Sequence, residues 1–215
     1  MAIEGNNSQF RAGFEPAQIP IVIRLVLDSW ESFRVPSEDE DIITQYFCVH
    51  LRNCKDRSKH FFQIRHQQDV LNDAGKIMGR IDLMVFNGCD EDVYFSFECK
   101  RLRVDFPSGF KSLAGEYVTE GMARYFNGQY AAGLNKGGMM GYVMNGETSL
   151  AIQDVKKAAE SRRERLYMET DGTLEDSGLV KSNQVKETYH NYGPHGRFVI
   201  YHVFLPVKDI SNKNP

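Results

Sequence analysis

Two neighbouring segments in the middle of the chain constrain the fold most strongly. Residues 81–86 have the sequence IDLMVF and are apolar on both faces, whereas residues 93–100 have the alternating sequence VYFSFECK. A segment that is apolar on both faces is typical of a strand in a sheet that helices cover on each side. The sequence therefore predicts the α/β class, with a central mixed β-sheet flanked by helices.

The surrounding sequence predicts a core with the element order helix, three strands, helix and strand. Ser37 followed by Glu40 fits a capping box, and the apolar stripe behind it predicts a helix that ends near Cys54. Besides the two segments above, the core is predicted to contain a strand at 61–66, a helix at 115–133 and a strand at 139–144. This core covers about 37–145.

Further elements are predicted on both sides of the core. Pro20 and apolar residues at helical spacing predict an N-terminal helix at about 20–33. A C-terminal helix-plus-strand extension over about 150–207 is predicted to contain a helix at about 150–168, a mobile polar loop at 169–190 and a strand at 198–205. We interpret residues 1–215 as a single domain with these appended elements, because a prior of ~150 residues per domain favours one domain over two at this length.

Three charged residues interrupt the two apolar segments. Asp82 lies in the first segment, and the alternation of the second places Glu98 and Lys100 on one face and Cys99 on the other. An ionised carboxylate is costly to bury unless a cation or hydrogen-bond donors compensate it. A divalent metal ion would supply that compensation.

The register of the hairpin between the two segments decides whether the two carboxylates meet. Pairing Phe86 with Tyr94 leaves residues 87–93 as a loop and places Asp82 opposite Glu98. A tight turn at Asn87-Gly88 would instead pair Phe86 with Cys89 and separate the carboxylates. The sequence permits both registers, and we favour the wider loop because its acidic run at 90–92 is a poor strand former.

The pattern of Asp82 followed by Glu98-Cys99-Lys100 resembles the bipartite signature of the PD-(D/E)XK nuclease superfamily. The similarity extends over residues 37–144 and implies the αβββαβ restriction-endonuclease-like core of that superfamily. Ile81 stands where the name of the superfamily would place proline. The resemblance implies a Mg²⁺-dependent endonuclease.

The roles implied by this resemblance agree with elementary metal chemistry. Asp82 and Glu98 would be the ligands of Mg²⁺, with Mn²⁺ as a substitute, and the backbone carbonyl of Cys99 would add a third oxygen. Lys100 would orient the attacking water or stabilise charge that develops on the phosphate. These are hard oxygen donors, as both ions require.

Similar folds often add a carboxylate from the first core helix, and the acidic run at 38–41 offers four. Glu40 continues the buried stripe of Ile43 and Phe47, so we favour it as a further catalytic residue, with Asp39 as the next choice. Alternatively, the acidic run merely favours the positive end of the helix dipole.

A net charge of −3 means that nucleic-acid binding would need a local basic patch. Arg101 and Arg103 lie beside the predicted site, and Arg124 and Gln129 occupy a helix where similar nucleases place supporting polar residues. For Arg124, a surface ion pair with Glu120 is the alternative. A second basic cluster at 156–165 is interleaved with glutamates, which is more typical of a solvated helix face.

Three late histidines offer a general-base cluster at 190, 195 and 202. His202 has apolar neighbours, and we interpret it as a hydrogen-bonded core residue. The absence of any CxxC pair predicts reduced thiols in a cytoplasmic protein, and the most apolar early segment is far shorter than the ~20 residues of a membrane span. We therefore expect no membrane association.

The expected function is hydrolysis of DNA, with RNA as the less favoured substrate. The resemblance also implies a homodimer, a restriction or phage-defence role, and a partner protein that supplies recognition or activation. One alternative is a catalytically silent nucleic-acid-binding or assembly subunit that keeps the nuclease fold. Another is a protein-interaction domain in which Lys100 belongs to a buried salt-bridge network.

Overall fold

A computed structural model describes residues 17–56, 61–71, 74–87, 94–127, 135–170, 172–192 and 196–208. The helices are α1 (Ile19–Ser32), α2 (Glu40–Cys54), α3 and α4 (Thr148–Glu160), where α3 is α-helical over Ala114–Glu116, π-helical over Tyr117–Gly121 and 3₁₀-helical over Met122–Tyr125. The strands are β1 (Phe62–Leu71), β2 (Ile77–Asn87), β3 (Tyr94–Leu102), β4 (Val104–Phe106), β5 (Gly109–Lys111), β6 (Lys136–Val143), β7 (Glu175–Asp176), β8 (Val185–Asn191) and β9 (Arg197–Pro206).

Seven strands form one mixed sheet in the order β1-β2-β3-β6-β9-β8-β7. β2 is antiparallel to its neighbours β1 and β3, and β3, β6 and β9 are parallel. β8 is antiparallel to its neighbours β9 and β7. α1 and α2 pack on one face and α3 and α4 on the other, each with its own apolar core. The predicted α/β class with a helix-flanked mixed sheet is confirmed. Among the described residues, no helix is long and apolar enough to cross a bilayer.

The hairpin of β2 and β3 has the register that the wider loop predicts. Phe86 pairs with Tyr94 and Leu83 pairs with Phe97. Residues 88–93 lie outside the described residues, and the alternative tight turn is wrong because it would shift every pair. Continued by one position away from the loop, this register places Asp82 opposite Glu98, and the Cys99 N–H donates to the Asp82 carboxylate.

The predicted capping box of α2 is wrong, because the helix begins two residues later than expected. Asp39 is the N-cap and its side chain accepts a hydrogen bond from the Ile42 N–H at 3.0 Å. The Ser37 hydroxyl accepts instead from the Asp39 N–H at 3.1 Å. Glu40 is therefore the first residue of the helix and does not cap it.

The C-terminal part differs most from the prediction. α4 ends at Glu160 and is followed by turns, and the predicted loop at 169–190 contains β7 and most of β8. The extension is therefore one helix with three strands. Glu187, Thr188 and His190 are buried in β8, although such polar residues are typical of loops. Glu187 accepts a hydrogen bond from the Ser177 hydroxyl, and Thr188 and His190 are hydrogen-bonded to each other, which makes their burial tolerable.

Candidate active site on the β2–β3 hairpin

The ammonium of Lys100 lies at the centre of the site. Its Nζ is 2.9 Å from Oε1 of Glu40, 3.0 Å from Oε1 of Glu98 and 2.9 Å from the backbone oxygen of Cys99. These oxygens come from α2 and β3, so three of the groups that the sequence analysis selected surround one cation. The Cys99 carbonyl, a predicted metal ligand, accepts a hydrogen bond from this ammonium.

The side chain of Asp82, on β2, is hydrogen-bonded to the backbone of β3. Its Oδ2 accepts a hydrogen bond from the Cys99 N–H at 2.7 Å, which follows from the hairpin register. Burial, and then the nearby charge of Glu98, raises the pKa of Asp82 to about 7, although Lys100 and the Cys99 N–H act in the opposite direction. The donors around Asp82 therefore do not fully compensate its negative charge.

Glu98 is completely buried, with 0% of its surface exposed. The second cation beside it is Arg124 of α3, whose Nη1 lies 3.0 Å from Oε1 and 3.2 Å from Oε2 of Glu98. The sequence analysis gave a surface ion pair with Glu120 as the alternative for Arg124. In the structure, Arg124 pairs with the buried Glu98. The π-helical turn shifts residues four apart away from a common face, so Glu120 is exposed while Arg124 reaches the site.

Glu40 connects the start of α2 to the end of β3. While Oε1 contacts Lys100, Oε2 accepts a hydrogen bond from the Arg101 N–H at 2.7 Å. The structure thus brings Glu40 to the site, whereas Asp39 caps the helix. The continuation of the buried stripe of α2 was the signal that selected Glu40.

The site holds three carboxylates and two cations, which we call the site cluster: Glu40, Asp82, Glu98, Lys100 and Arg124. Burial alone would lower the pKa of Lys100, but the charges of Glu98, Glu40 and Asp82 outweigh burial and raise it above its ordinary value. Lys100 is therefore a permanent cation at neutral pH. While Asp82 is ionised, the three carboxylates exceed the two cations by one negative charge.

The close packing of α3 on the site depends on Gly121. A Cβ at this position would lie 2.4 Å from Cε of Met139 and 3.5 Å from Cγ of Lys100. The glycine closes the π-helical turn and lets the helix backbone approach the stem of Lys100. A regular helix was predicted here, and neither the π-helical turn nor the contact of Arg124 follows from spacing alone.

The predicted nucleic-acid contacts have different surroundings. Arg101 donates through Nη1 to the backbone oxygen of Glu38 at 2.7 Å. Arg103 pairs with Asp154 of α4 at 2.6 Å, and only 13% of its side chain is exposed, so it does not point freely to solvent as a phosphate contact would. Gln129 lies outside the described residues.

The oxygen donors suit the divalent ion that the resemblance implies. Asp82, Glu98 and the Cys99 carbonyl supply only hard oxygens, and the raised pKa of Asp82 shows negative charge that a cation would compensate. Within the described part of the chain, however, no group of three or more His, Cys, Asp and Glu side chains is arranged to hold a metal ion. The backbone carbonyl of Cys99 would therefore have to be the third protein ligand, beside the carboxylates of Asp82 and Glu98.

The late histidines form a separate structure, which we call the histidine chain: Tyr117, His202, Thr188, His190 and the Leu166 carbonyl. Thr188 Oγ1 lies 2.8 Å from Nε2 of both histidines, Tyr117 Oη lies 3.0 Å from Nδ1 of His202, and Nδ1 of His190 lies 2.7 Å from the Leu166 oxygen. His195 lies outside the described residues.

The direction of every hydrogen bond in the histidine chain follows from the Leu166 carbonyl, which can only accept. Nδ1–H of His190 donates to it, so Nε2 of His190 accepts from Thr188, Thr188 accepts from His202, and His202 accepts from Tyr117. Burial lowers the pKa of His190 to about 4 and that of His202 to about 3, so both are neutral. His202 is a hydrogen-bonded core residue, as predicted.

The chain was also compared with known proteins. Comparison with protein-family models, with curated proteins and with solved structures finds no match to this chain.

Proposed function

We propose that this chain hydrolyses phosphodiester bonds of nucleic acid, DNA in preference to RNA, at a site of the PD-(D/E)XK type. One observation supports this proposal above all: Glu40, Asp82, Glu98 and Lys100 meet, although they come from three separate elements. Apart from the short strands β4 and β5 between β3 and α3, the element order α2-β1-β2-β3-α3-β6, with β6 parallel to β3, also agrees with the restriction-endonuclease-like core.

Asp82, Glu98 and the Cys99 carbonyl would hold Mg²⁺ or Mn²⁺ in this proposal. When bound, the ion would neutralise phosphate charge and acidify a water molecule. The three groups are fixed beforehand, because Asp82 is bonded to the Cys99 N–H and Glu98 is held by Arg124. Such fixed donors require little rearrangement when a charged substrate arrives.

Lys100 would act as an electrostatic group and not as a base. Its raised pKa keeps it protonated at neutral pH, so it has no free lone pair with which to accept a proton from water. A permanent ammonium in a largely buried place stabilises negative charge that develops on a phosphate. Glu40 positions this ammonium and is not itself placed against the phosphate in the proposal.

The test is a cleavage assay on end-labelled single-stranded and duplex DNA with Mg²⁺, with Mn²⁺ and with EDTA. The wild-type protein should cleave with either metal and stop with EDTA. Glu98→Gln and Lys100→Met should each reduce the rate by roughly 10²–10³-fold, as expected for loss of a fixed electrostatic group. Lys208→Met is the matched control, because Lys208 forms an exposed ion pair with Glu31.

Equal cleavage by the wild type and both site variants would contradict the assignment. Equal loss in Lys208→Met would also contradict it, since that variant leaves the site cluster intact. Thermal unfolding of each variant separates loss of activity from loss of folding.

A second candidate is a nucleic-acid-binding or assembly subunit without activity. Lys100 already contacts Glu40, Glu98 and the Cys99 carbonyl, so the oxygens proposed for a metal are partly satisfied by the chain itself. This candidate predicts DNA binding without cleavage in any metal. It also predicts that Lys100→Met lowers the unfolding temperature strongly.

A further inference from the structure

A small two-stranded ribbon follows the site directly. β4 begins two residues after β3 ends, and β4 and β5 pair with each other and not with the main sheet. The Arg103 N–H donates to the Ser112 oxygen at 2.9 Å and closes the base of the ribbon. Arg103 and Leu113, at its two ends, have positive φ angles of 56° and 55°. Non-glycine residues in this conformation are uncommon, and here they turn the ribbon out of the sheet.

Phe110 presents its ring at the surface of this ribbon. Its side chain is 49% exposed, and the guanidinium of Arg103 lies 4.8 Å from the ring centroid. Arg103 is itself fixed by its 2.6 Å ion pair with Asp154. The ring is therefore supported by an anchored cation while about half of the side chain faces solvent. Such a ring loses little conformational freedom when a flat group stacks on it.

Phe106 connects the ribbon to the site through two further cations. The Arg101 guanidinium lies 5.9 Å and the Lys111 ammonium 5.4 Å from the centroid of its ring. The backbone of Arg101 is bonded to Glu40 of the site cluster. Aromatic and basic side chains thus continue from the partly buried Lys100 and Arg101 to Phe110 and Lys111, which are exposed on the ribbon.

We propose that the ribbon binds a single strand of nucleic acid, with an unpaired base stacked on Phe110. Proteins that hold single strands combine aromatic rings, on which bases stack, with basic side chains along the backbone. A base inside a duplex cannot offer its face to such a ring, and phenylalanine has no hydrogen-bonding group with which to read a groove edge. Lys111, which is exposed, and Arg101 would contact the phosphates on either side of that base.

This inference rests on the proposed function and specifies its substrate class. The strand would pass from Phe110 toward Lys100, so that the scissile phosphate is in a single-stranded segment. The salt bridge between Arg103 and Asp154 would act by holding the ring and not by binding phosphate.

The test measures binding of a fluorescent 12-nucleotide single strand and the matching duplex by anisotropy in EDTA, where no metal-dependent cleavage occurs. The wild-type protein should bind the single strand more tightly than the duplex. Phe110→Ala should weaken single-strand binding roughly tenfold, and Phe110→Trp should retain it. Tyr46→Ala is the matched control, because Tyr46 is an aromatic residue on α2 that is 55% exposed.

The salt dependence of binding tests the basic residues. Lys111→Ala should reduce the slope of log K against log salt concentration by about 1. An unchanged slope would contradict a phosphate contact of Lys111. Because Phe110 and Lys111 are exposed, their variants should keep the unfolding temperature of the wild type.

Either of two results would overturn the inference: equal affinity of Phe110→Ala and wild type for the single strand, or duplex binding as tight as single-strand binding. Failure of the proposed function is distinguishable from both. If the single strand binds through Phe110 but is not cleaved in Mg²⁺ or Mn²⁺, hydrolysis is contradicted and the ribbon inference is supported. If duplex DNA is cleaved and Phe110→Ala has no effect, the ribbon inference alone is contradicted.

Discussion

The site cluster and the histidine chain are two buried polar groups in the same row of the sheet. Glu98 on β3 and His202 on β9 both pair with Met139 of β6, so one residue separates the two groups. The site cluster is built from charges that do not cancel. The histidine chain is neutral, and both nitrogens of each histidine have a hydrogen-bond partner.

The two buried polar groups differ in what they can offer a ligand. A neutral and fully paired network specifies how the core packs, and it offers nothing to a ligand. A carboxyl group with a raised pKa beside a permanent cation, as Asp82 is beside Lys100, is typical of functional sites because a ligand can relieve its charge. The histidine chain on β8 and β9 therefore fits a structural role, and the site cluster on β2 and β3 fits the binding of a charged ligand.

The largest expected effect is loss of folding stability when the histidine chain is broken in the middle. Thr188→Val removes one hydroxyl and leaves Nε2 of both His190 and His202 without a partner. Burying two unpaired groups should cost about 3 kcal/mol, which lowers the unfolding temperature by about 6–12 °C. Differential scanning calorimetry measures this shift.

Thr148→Val is the control for that measurement. Its hydroxyl, at the start of α4, donates a long hydrogen bond of 3.4 Å to the Gly146 oxygen in a partly buried place, so its loss should cost less than about 1 kcal/mol. Cleavage by Thr188→Val below its unfolding temperature should remain close to the wild type. If the two variants were equally stable, the histidine chain would contribute no structure.

The same contrast explains how far the sequence predicts this molecule. The charged residues that interrupt apolar strands identify Asp82, Glu98 and Lys100. The acidic run at 90–92 favours the observed register because these residues are poor strand formers, and the tight turn would place them in a strand. The helical stripe of α2 selects Glu40. All of these signals are local in sequence or depend on one hairpin.

The features that the sequence did not predict depend on contacts between distant segments. β8 was predicted as a loop because its buried polar residues are satisfied by partners that hydropathy cannot identify, such as Ser177 for Glu187. Arg124 reaches Glu98 only because a π-helical turn changes the phase of α3. The ribbon of β4 and β5 was also not predicted: its strands have only three residues each, and residues 101–114 were assigned no element.

The next effect is smaller and concerns pH. As pH falls, the histidine chain and Asp82 of the site cluster change the free energy of unfolding in opposite directions. The pKa values of His190 and His202 fall from 6.5 to about 4 and about 3, so their contribution to stability is complete above pH 6.5 and is lost as pH falls toward 4. The pKa of Asp82 rises from 3.8 to about 7, so protonation of Asp82 stabilises the folded state as pH falls through the same range.

Between pH 7 and pH 5 the two histidines should remove about 4 kcal/mol from the free energy of unfolding, and Asp82 should return about 2 kcal/mol. Asp82→Asn should therefore lose about 2 kcal/mol more than the wild type over this interval. Urea unfolding at both pH values measures the difference. Asp69→Asn, at an ion-paired surface position on β1, should follow the wild type; a parallel response of Asp82→Asn would contradict the pKa shift of Asp82.

The smallest effect distinguishes the causes of that shift within the site cluster. In the metal-free protein, Glu98→Gln should lower the pKa of Asp82 by about 1 unit, because it removes the strongest neighbouring negative charge. The pKa should still stay above 3.8, because burial contributes more to the shift than Glu98 does. Carboxyl ¹³C NMR of protein labelled at aspartate measures this titration, and Asp82→Asn identifies the resonance.

Glu40→Gln is the matched control for the NMR titration, because Glu40 contributes less than Glu98 to the raised pKa of Asp82. Its effect should have the same sign and a smaller size. Lys100→Met should act in the opposite direction, because the ammonium lowers the pKa of Asp82 in the wild type. An order in which Glu40→Gln exceeds Glu98→Gln would mean that Asp82 and Glu98 do not face one another, and the two carboxylates could then not share an ion.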